Sequence, residues 1–381
     1  MSLDTVLLKL NKKFGAGTVV RASDALGLEI QRFSTGSFAL DISLSGGFVE
    51  GRINEIAGHY SSYKSTLAIY SCNAYLKKDL KNRYIVWVDV ENSFDVNWLK
   101  FLDADPKKFL LVSPTDGEEA VDLMYEVLKE GDNALVVLDS VAALVGSSET
   151  ENSMSKNTIG AQPRFISKML RKIVPLLKKD LLSKNPKSTI IALNQVRVNI
   201  GQLFGDPEAP TGGKALEHAV SICVKLKRRG FIYEELAKSG EKVKQSVGSQ
   251  IAYVVLKNKT GGNIQDKGIF SFYNRAHGFR AGGTVDNASD LLPLGVVYGQ
   301  IKRSGNSWAY GGINAVGREK FCELLYNDKK ALRQLHGEVI GEHLRRVRMK
   351  YNGADQRSGE QDLKTKKVSK KKPDTEVAYS F

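Results

Sequence analysis

Apolar runs that stop abruptly at polar residues set the pattern of the chain. One holds Ile53, Ile56 and Ala57 and stops at Gly58. The next, Arg83-Tyr-Ile-Val-Trp-Val-Asp89, continues into Val90-Glu91-Asn92-Ser93-Phe94-Asp95. Ala134-Leu-Val-Val-Leu-Asp139-Ser140 and Ser188-Thr-Ile-Ile-Ala-Leu-Asn194-Gln195 repeat the theme. Continuous rather than alternating apolar runs predict strands buried on both faces, as in a parallel sheet. Helical stretches fall between them, Leu67-Ala68-Ile69 onward and Glu118 to Glu130. Strand and helix in alternation from Ile53 to Asn194 predict a mostly parallel, helix-flanked α/β sheet. From Ser249 to Tyr273 the pattern turns to strands. About Gly278 to Met349 it mixes Leu/Val-rich helices with a Trp308-Ala-Tyr310-Gly-Gly turn, which predicts a smaller second domain. At the N-terminus, Leu7, Leu8, Leu10 and Phe14 lie near one face of a short amphipathic helix. A glycine turn and a β-branched strand to Arg21 follow. A lone helix and strand cannot bury themselves, so they are expected to pack on the core or on another copy of the chain.

Composition narrows the class. At 381 residues, with 42% hydrophobic and 26% charged residues, the chain reads as a soluble globular protein of two or three domains. No apolar run reaches the length of a bilayer span, and the first residues lack a signal-peptide pattern. Cys72, Cys223 and Cys322 are scattered and odd in number, which argues for reduced thiols and against a metal cluster. A net charge of +14 points to a polyanionic partner, nucleic acid before membrane. After Tyr351 apolar residues are scarce and Lys364, Lys366, Lys367 and Lys370 to Lys372 accumulate, so a disordered basic tail is expected.

The candidate chemistry begins where the first apolar run ends. Gly58-His-Tyr-Ser61-Ser62-Tyr63-Lys64-Ser65-Thr66 fits the phosphate-loop pattern G-x-x-x-x-G-K-[ST], except that Tyr63 stands where the second glycine belongs. Backbone N–H groups and a helix N-terminus would converge on a phosphate. Lys64 would add a point charge and Ser65 a hydroxyl for Mg²⁺. By itself the stretch fits a nucleotide loop and an ordinary strand-to-helix turn equally. Asp139, at the end of an apolar strand, fits the carboxylate that holds Mg²⁺ in such sites, although strands also end in Asp as a cap. Two long connections interrupt the core, Gly146 to Gly160 and Arg197 to Lys214. Loops this long are either functional or plain surface segments, and basic residues flank both. Lys257 and Lys259 at a strand end would ordinarily be a solvated edge.

Taken together, these segments resemble the bacterial RecA recombinase family over nearly the whole chain apart from the tail. The likeness is carried by KLNKKFGAGTVVR, STGSFALDISL, GRINEIAGHYSSYKST, VWVDVENSFD, LVVLDSVAAL, ALNQVRVNIGQLFG, TGGKALEHA, VVLKNK and GNSWAYGG. It implies a P-loop ATPase core over 25–278, an oligomerisation arm over 1–24, a DNA-gathering domain over 279–350 and the tail over 351–381. It implies ATP and Mg²⁺ as cofactors. Gly58, Ser61, Ser62, Tyr63, Lys64, Ser65 and Thr66 would cradle phosphate, with Ser65 and Asp139 on the metal. Asp95, Trp98 and Tyr273 match the adenine contacts. Glu91 matches the base that orients the attacking water, and Gln195 the γ-phosphate sensor. Lys257 and Lys259 match a pair that reaches the neighbouring subunit's ATP. Ile159, Arg164, Ser167, Arg171, Arg197, Val198, Ile200, Phe204, Gly212 and Gly213 match the primary DNA-binding loops, and Lys302 and Arg303 the duplex contacts. The implied partners are single-stranded and homologous double-stranded DNA and other copies of the chain in a helical filament, with single-strand-binding and mediator proteins beyond them. No membrane is implied, and the expected location is the cytoplasm, with the nucleoid or within a phage's host.

Three departures stand out. Tyr63 replaces a glycine, although bulky aromatics occur there in some phage recombinases that resemble the family. His218 stands where the family has an aromatic relay residue. The tail is basic where bacterial members tend to be acidic. These departures suggest a phage-encoded or otherwise divergent member. They also keep open a non-hydrolysing, ATP-gated DNA scaffold or recombination mediator. A ring-forming P-loop motor is disfavoured by the N-terminal arm and the TGG loop. Removing the residues after Tyr351 is expected to weaken duplex binding, measured by fluorescence anisotropy across a salt series; unchanged or tighter binding would contradict a DNA role for the tail.

Overall fold

The apolar runs become strands, and the strands join edge to edge. The protein was analysed as a computed structural model, which describes residues 2–24, 30–78, 82–131, 133–145, 161–177, 188–198, 208–238, 241–261 and 266–351. The basic tail beyond Tyr351, and Ile159, Ile200 and Phe204, lie outside the described residues. β1 (Arg32–Phe33) and β2 (Phe48–Val49) form a small antiparallel pair. The main sheet takes β3 (Ile53–Gly58), β4 (Tyr84–Asp89), β5 (Phe109–Val112), β6 (Ala134–Asp139), β7 (Thr189–Val198), β8 (Glu208–Pro210), β9 (Ile222–Lys238), β10 (Glu241–Asn258), β11 (Lys267–Tyr273) and β12 (Thr284–Val285). Its order is β12-β11-β10-β9-β3-β7-β6-β4-β5, with β8 paired to the end of β7. From β9 to β5 neighbouring strands run parallel, whereas β10, β11 and β12 extend the sheet antiparallel.

Burial on both faces explains the unbroken apolar runs. All six residues of β3 and all six of β6 are buried. Successive side chains of a strand point to opposite faces. Ile85 and Trp87 therefore join one core cluster while Val86 and Val88 join the other. The helix Lys64–Leu76 covers the first face with Leu67, Ala68, Cys72 and Tyr75. Helices Gly117–Glu130 and Ala161–Ile173 cover the second with Met124, Leu128, Ile166 and Met169. A third cluster holds Leu291, Trp308, Phe321 and Leu335 around the small sheet β13 (Lys302–Ser304), β14 (Ser307–Tyr310) and β15 (Ile313–Val316). Ile42 of the helix Phe38–Ser43 is buried in that cluster, so the C-terminal segment packs on the core.

One expectation needs correction. The β-branched stretch to Arg21 carries no strand. A strand needs a backbone partner, and here the Asn11 side chain takes both groups of Val19, donating to its carbonyl at 2.8 Å and accepting from its N–H at 3.0 Å. The helix before it, Leu3–Phe14, buries none of its residues, and Leu3, Leu8 and Phe14 are exposed. The sequence pattern also missed β9, the strand beside β3. Its Val-Lys-Leu-Lys-Arg-Arg alternation looks like a solvated edge, yet Lys225 is 1% exposed.

Among the described residues no helix is long and apolar enough to cross a membrane. Leu193 is fully buried in β7, one residue before the site's Asn194. Leu193→Ala should lose about 2–5 kcal/mol through the cavity it leaves, read as a lower urea midpoint, whereas an unmoved midpoint would show that the strand is not packed as described.

Candidate nucleotide and nucleic-acid site

The carboxyl ends of β3, β4, β6 and β7 meet at one edge of the sheet. β3 ends at Gly58, where an added Cβ would lie 2.5 Å from Ser62 Oγ and 2.6 Å from the Leu226 carbonyl, so only glycine fits. The chain then turns through Ser61 and Tyr63, both at positive φ, into the helix starting at Lys64. Tyr63 has φ 69° and ψ 24°, the left-handed conformation that a glycine would adopt freely. That conformation costs a non-glycine residue roughly 1–2 kcal/mol. Packing offsets it: the ring lies 5.2 Å from Phe272, and the hydroxyl donates to Ser249 Oγ at 2.9 Å. The aromatic side chain is thus anchored on β10 and β11 while the backbone keeps the turn. Ser62 Oγ donates to the His59 carbonyl at 2.7 Å, and Lys64 Nζ to the carbonyls of Gly58 and His59 at 3.1 and 2.8 Å. Burial pushes the Lys64 ammonium down from its ordinary value, and the charges of Asp139 and Glu91 work against that. A cavity of about 340 Å³ adjoins the loop, lined by Ser61 to Thr66, Trp98 and Arg228.

Strand register brings the carboxylates together. Asp89 lies beside Asp139, and Gly58 beside Gln195. Ser65 Oγ donates to Asp139 Oδ2 at 3.3 Å. Asp139 is pushed up to about 6, first by burial and then by repulsion from Glu91 and Asp89. Asp89 accepts from the N–H groups of Ser93 and Phe94 at 3.1 and 2.9 Å, so it fixes the turn that carries Glu91. Ser140 Oγ and Gln195 Nε2, the latter at 3.4 Å, both donate to Glu91 Oε1. Among the described residues no group of three or more His, Cys, Asp or Glu side chains could hold a metal. One hydroxyl beside one carboxylate that is short of positive charge suits Mg²⁺, which keeps waters and phosphate oxygens as its remaining ligands.

The same edge carries the base of the long connection after Arg197. β8 pairs with the end of β7, placing Glu208 opposite Val198. Asn194 Nδ2 donates to Glu55 at 2.7 Å and to the Thr211 carbonyl at 2.8 Å, while Thr211 Oγ1 donates back to Asn194 Oδ1 at 2.5 Å. Gly212 and Gly213 both have positive φ, 98° and 73°, and lead into the helix Gly213–Ala219. Arg197 and Val198 are exposed. Arg164, Ser167 and Arg171 lie on the helix Ala161–Ile173 at a spacing that puts them on one face; both arginines are exposed and Ser167 is half-buried. Lys257 and Lys259 donate to the carbonyls of Glu217 and His218, cations at the C-terminal end of the helix Gly213–Ala219. Burial and the neighbouring Lys259 ammonium push Lys257 down.

Other candidates stand apart. Trp98 lines the cavity and its Nε1 donates to Thr66 Oγ1 at 3.4 Å. Asp95 caps the helix Val96–Phe101, accepting from Asn97 N at 2.7 Å, and the Tyr273 ring centre lies 5.9 Å from that of His277 and 5.2 Å from the Arg280 guanidinium; neither lines that cavity. Lys302 and Arg303 sit on β13, with the Arg303 guanidinium 4.8 Å from the Trp308 ring centre. Residues that the motif did not flag also reach the site. Arg228 lines the cavity. His59 Nε2 lies 2.9 Å from Glu208 Oε1, and Lys225 Nζ lies 3.3 Å from Glu208 Oε2. Burial would raise the Glu208 carboxyl, but the bond with His59 and the charges of Lys227 and Lys225 outweigh it and hold it low. Only the basic run Lys227-Arg228-Arg229 hinted at any of this.

A family model described as the RecA N-terminal domain matches residues 1–276. The protein RecA of Chlorobium chlorochromatii is 32% identical over 333 residues, 87% of this chain and 87% of its own length. That of Ureaplasma parvum is 34% identical over 334 residues, covering 87% and 92%. That of an Arthrobacter strain is 34% identical over 312 residues, covering 82% of each.

Because Tyr63 supplies its backbone to the loop and its side chain to the core, Tyr63→Phe should cost about 1 kcal/mol of stability through the lost Ser249 bond. Nucleotide affinity should stay within about threefold of wild type on the same scale. A collapse of affinity, measured by titrating a fluorescent ATP analogue, would place the tyrosine hydroxyl in the phosphate site instead.

Proposed function

The chain belongs to the RecA family, and from that membership we propose how its residues divide the work. It is a DNA-dependent ATPase that uses ATP and Mg²⁺, assembles as a filament on single-stranded DNA, and carries out homologous pairing and strand exchange in recombination and repair. The observation that supports the residue assignment is a pair of hydrogen-bonded sets joined through the sequence neighbours Asp139 and Ser140. One runs from Ser65 to Asp139, and the other from Ser140 through Glu91 to Gln195 at the foot of the long connection.

In this reading the N–H groups of the loop Gly58–Thr66 and the Lys64 ammonium hold the phosphates, and Ser65 and Asp139 hold Mg²⁺. When bound, Mg²⁺ neutralises charge on the phosphates. Glu91, aimed by Ser140 and Gln195, orients and deprotonates the attacking water. Gln195 sits in β7 two residues before Arg197, so its bond to Glu91 links γ-phosphate chemistry to the connection 197–214. Trp98 forms a wall of the base pocket, with Asp95 and Tyr273 contributing from the outer side. Lys257 and Lys259 exchange the helix carbonyls for a neighbouring subunit's phosphates on filament assembly, which makes hydrolysis depend on polymerisation. Arg164, Ser167, Arg171 and Arg197 grip DNA phosphates. Val198, with Ile159, Ile200 and Phe204, inserts apolar surface between bases, while Gly212 and Gly213 let the backbone approach. Gripping the backbone leaves Watson–Crick edges free, so base pairing itself tests homology.

The exposed apolar face of the helix Leu3–Phe14 fits an arm, 1–24, that docks on another copy. The segment 279–350, with Lys302 and Arg303 beside Trp308, fits a duplex-gathering unit around the core 25–278. We place the protein in the cytoplasm, with the DNA it acts on.

ATP hydrolysis should rise strongly on adding single-stranded DNA, and Glu91→Gln should lower it by about a hundredfold or more, the scale of a lost general base. Nucleotide-dependent DNA binding with no hydrolysis above the Glu91→Gln blank would favour a gated scaffold. Brisk hydrolysis indifferent to DNA would remove the loop assignments.

A further inference from the structure

His59 belongs to the phosphate loop, yet its side chain leaves the loop and meets Glu208. Nε2 lies 2.9 Å from Glu208 Oε1, across 149 residues of sequence. Its main chain faces the other way: the His59 carbonyl accepts from Lys64 Nζ at 2.8 Å and from Ser62 Oγ at 2.7 Å. Anything that draws the Lys64 ammonium toward a phosphate therefore acts on the residue that holds Glu208. Glu208 in turn lies at the base of the ribbon formed by β7 and β8, opposite Val198, so it fixes where the connection 199–207 re-enters the fold. The buried Lys225 at 3.3 Å and Lys227 at 3.7 Å already supply counter-charge for this carboxylate. Charge balance alone does not require a histidine here. What His59 adds is a physical connection between the two loops.

We propose that His59 is a positioning residue that couples phosphate-loop occupancy to the β7–β8 ribbon through Glu208, in parallel with Gln195. The inference rests on the reading of 197–214 as a DNA-binding connection. Coupling between two sites is reciprocal, so DNA on the ribbon tightens nucleotide binding by the same factor that nucleotide tightens DNA binding. One hydrogen bond of this kind accounts for about a three- to tenfold share of that factor.

The test uses the full chain and a fluorescent, slowly hydrolysed ATP analogue, titrated with and without a poly(dT) oligonucleotide. The readout is the ratio of the two affinities, taken within each variant so that its baseline cancels. His59→Ala should lower the ratio about three- to tenfold. His59→Gln, whose amide can still donate to Glu208, should restore much of it. In a Glu208→Gln background His59→Ala should add little, as expected for two residues in one contact. A wild-type ratio above one that His59→Ala leaves unchanged would overturn this proposal alone, as would full additivity with Glu208→Gln or a Gln variant no better than Ala. A wild-type ratio of one would overturn the DNA-loop reading and this proposal with it.

Discussion

The site depends on parallel strand register. β3, β7, β6 and β4 all run the same way, so the polar residues at their carboxyl ends fall on one line. Gly58 is beside Gln195, and Asp89 is beside Asp139. A slip of one residue in any of these strands would exchange its two faces, moving Val86 and Val88 into the core meant for Ile85 and Trp87. The apolar packing on both faces thus fixes the geometry of polar groups that contribute little to stability themselves.

That edge accumulates negative charge. Asp89, Glu91 and Asp139 sit close together, and the Lys64 ammonium is partly buried and bonded to backbone carbonyls. The strain is visible in Asp139, whose carboxyl is held near 6. Carboxylates kept this close in a core would be a liability in a purely structural role. They suit a site that receives a divalent cation and polyphosphate, where the charges are matched on binding.

Two carboxylates at the site each gather several donors. Glu91 Oε1 receives both Ser140 and Gln195, and Glu208 receives His59 and two lysines. Gln195 and Glu208 both belong to the ribbon of β7 and β8. Lys257 and Lys259 hold the far side of the same connection by capping the helix that starts at Gly213. The described ends of the connection are therefore held by side chains from several parts of the site.

Local signals carried most of this protein's design. Unbroken apolar runs predicted β3, β4, β6 and β7, because a strand buried on both faces leaves that trace wherever it occurs. Lys64, Ser65 and Asp139 were legible from motif spacing, whereas Arg164, Ser167 and Arg171 were named only by the family resemblance, and the helix Ala161–Ile173 that sets them on one face came from the structure. Other features depend on what lies across the fold. β9 reads as a charged edge, since nothing in Val-Lys-Leu-Lys-Arg-Arg announces that Lys225 will be buried beside Glu208. Tyr63 looks like a defect in its motif. Only the positions of Phe272 and Ser249 show how a tyrosine can hold a glycine's conformation. The residues to Arg21 have strand propensity but pair with no strand among the described residues, and Asn11 takes the backbone groups of Val19 instead. The sequence by itself determined the elements and the chemistry at their ends. Tertiary structure decided which distant residues share a hydrogen bond, because a contact such as that of His59 with Glu208 has no periodicity to betray it.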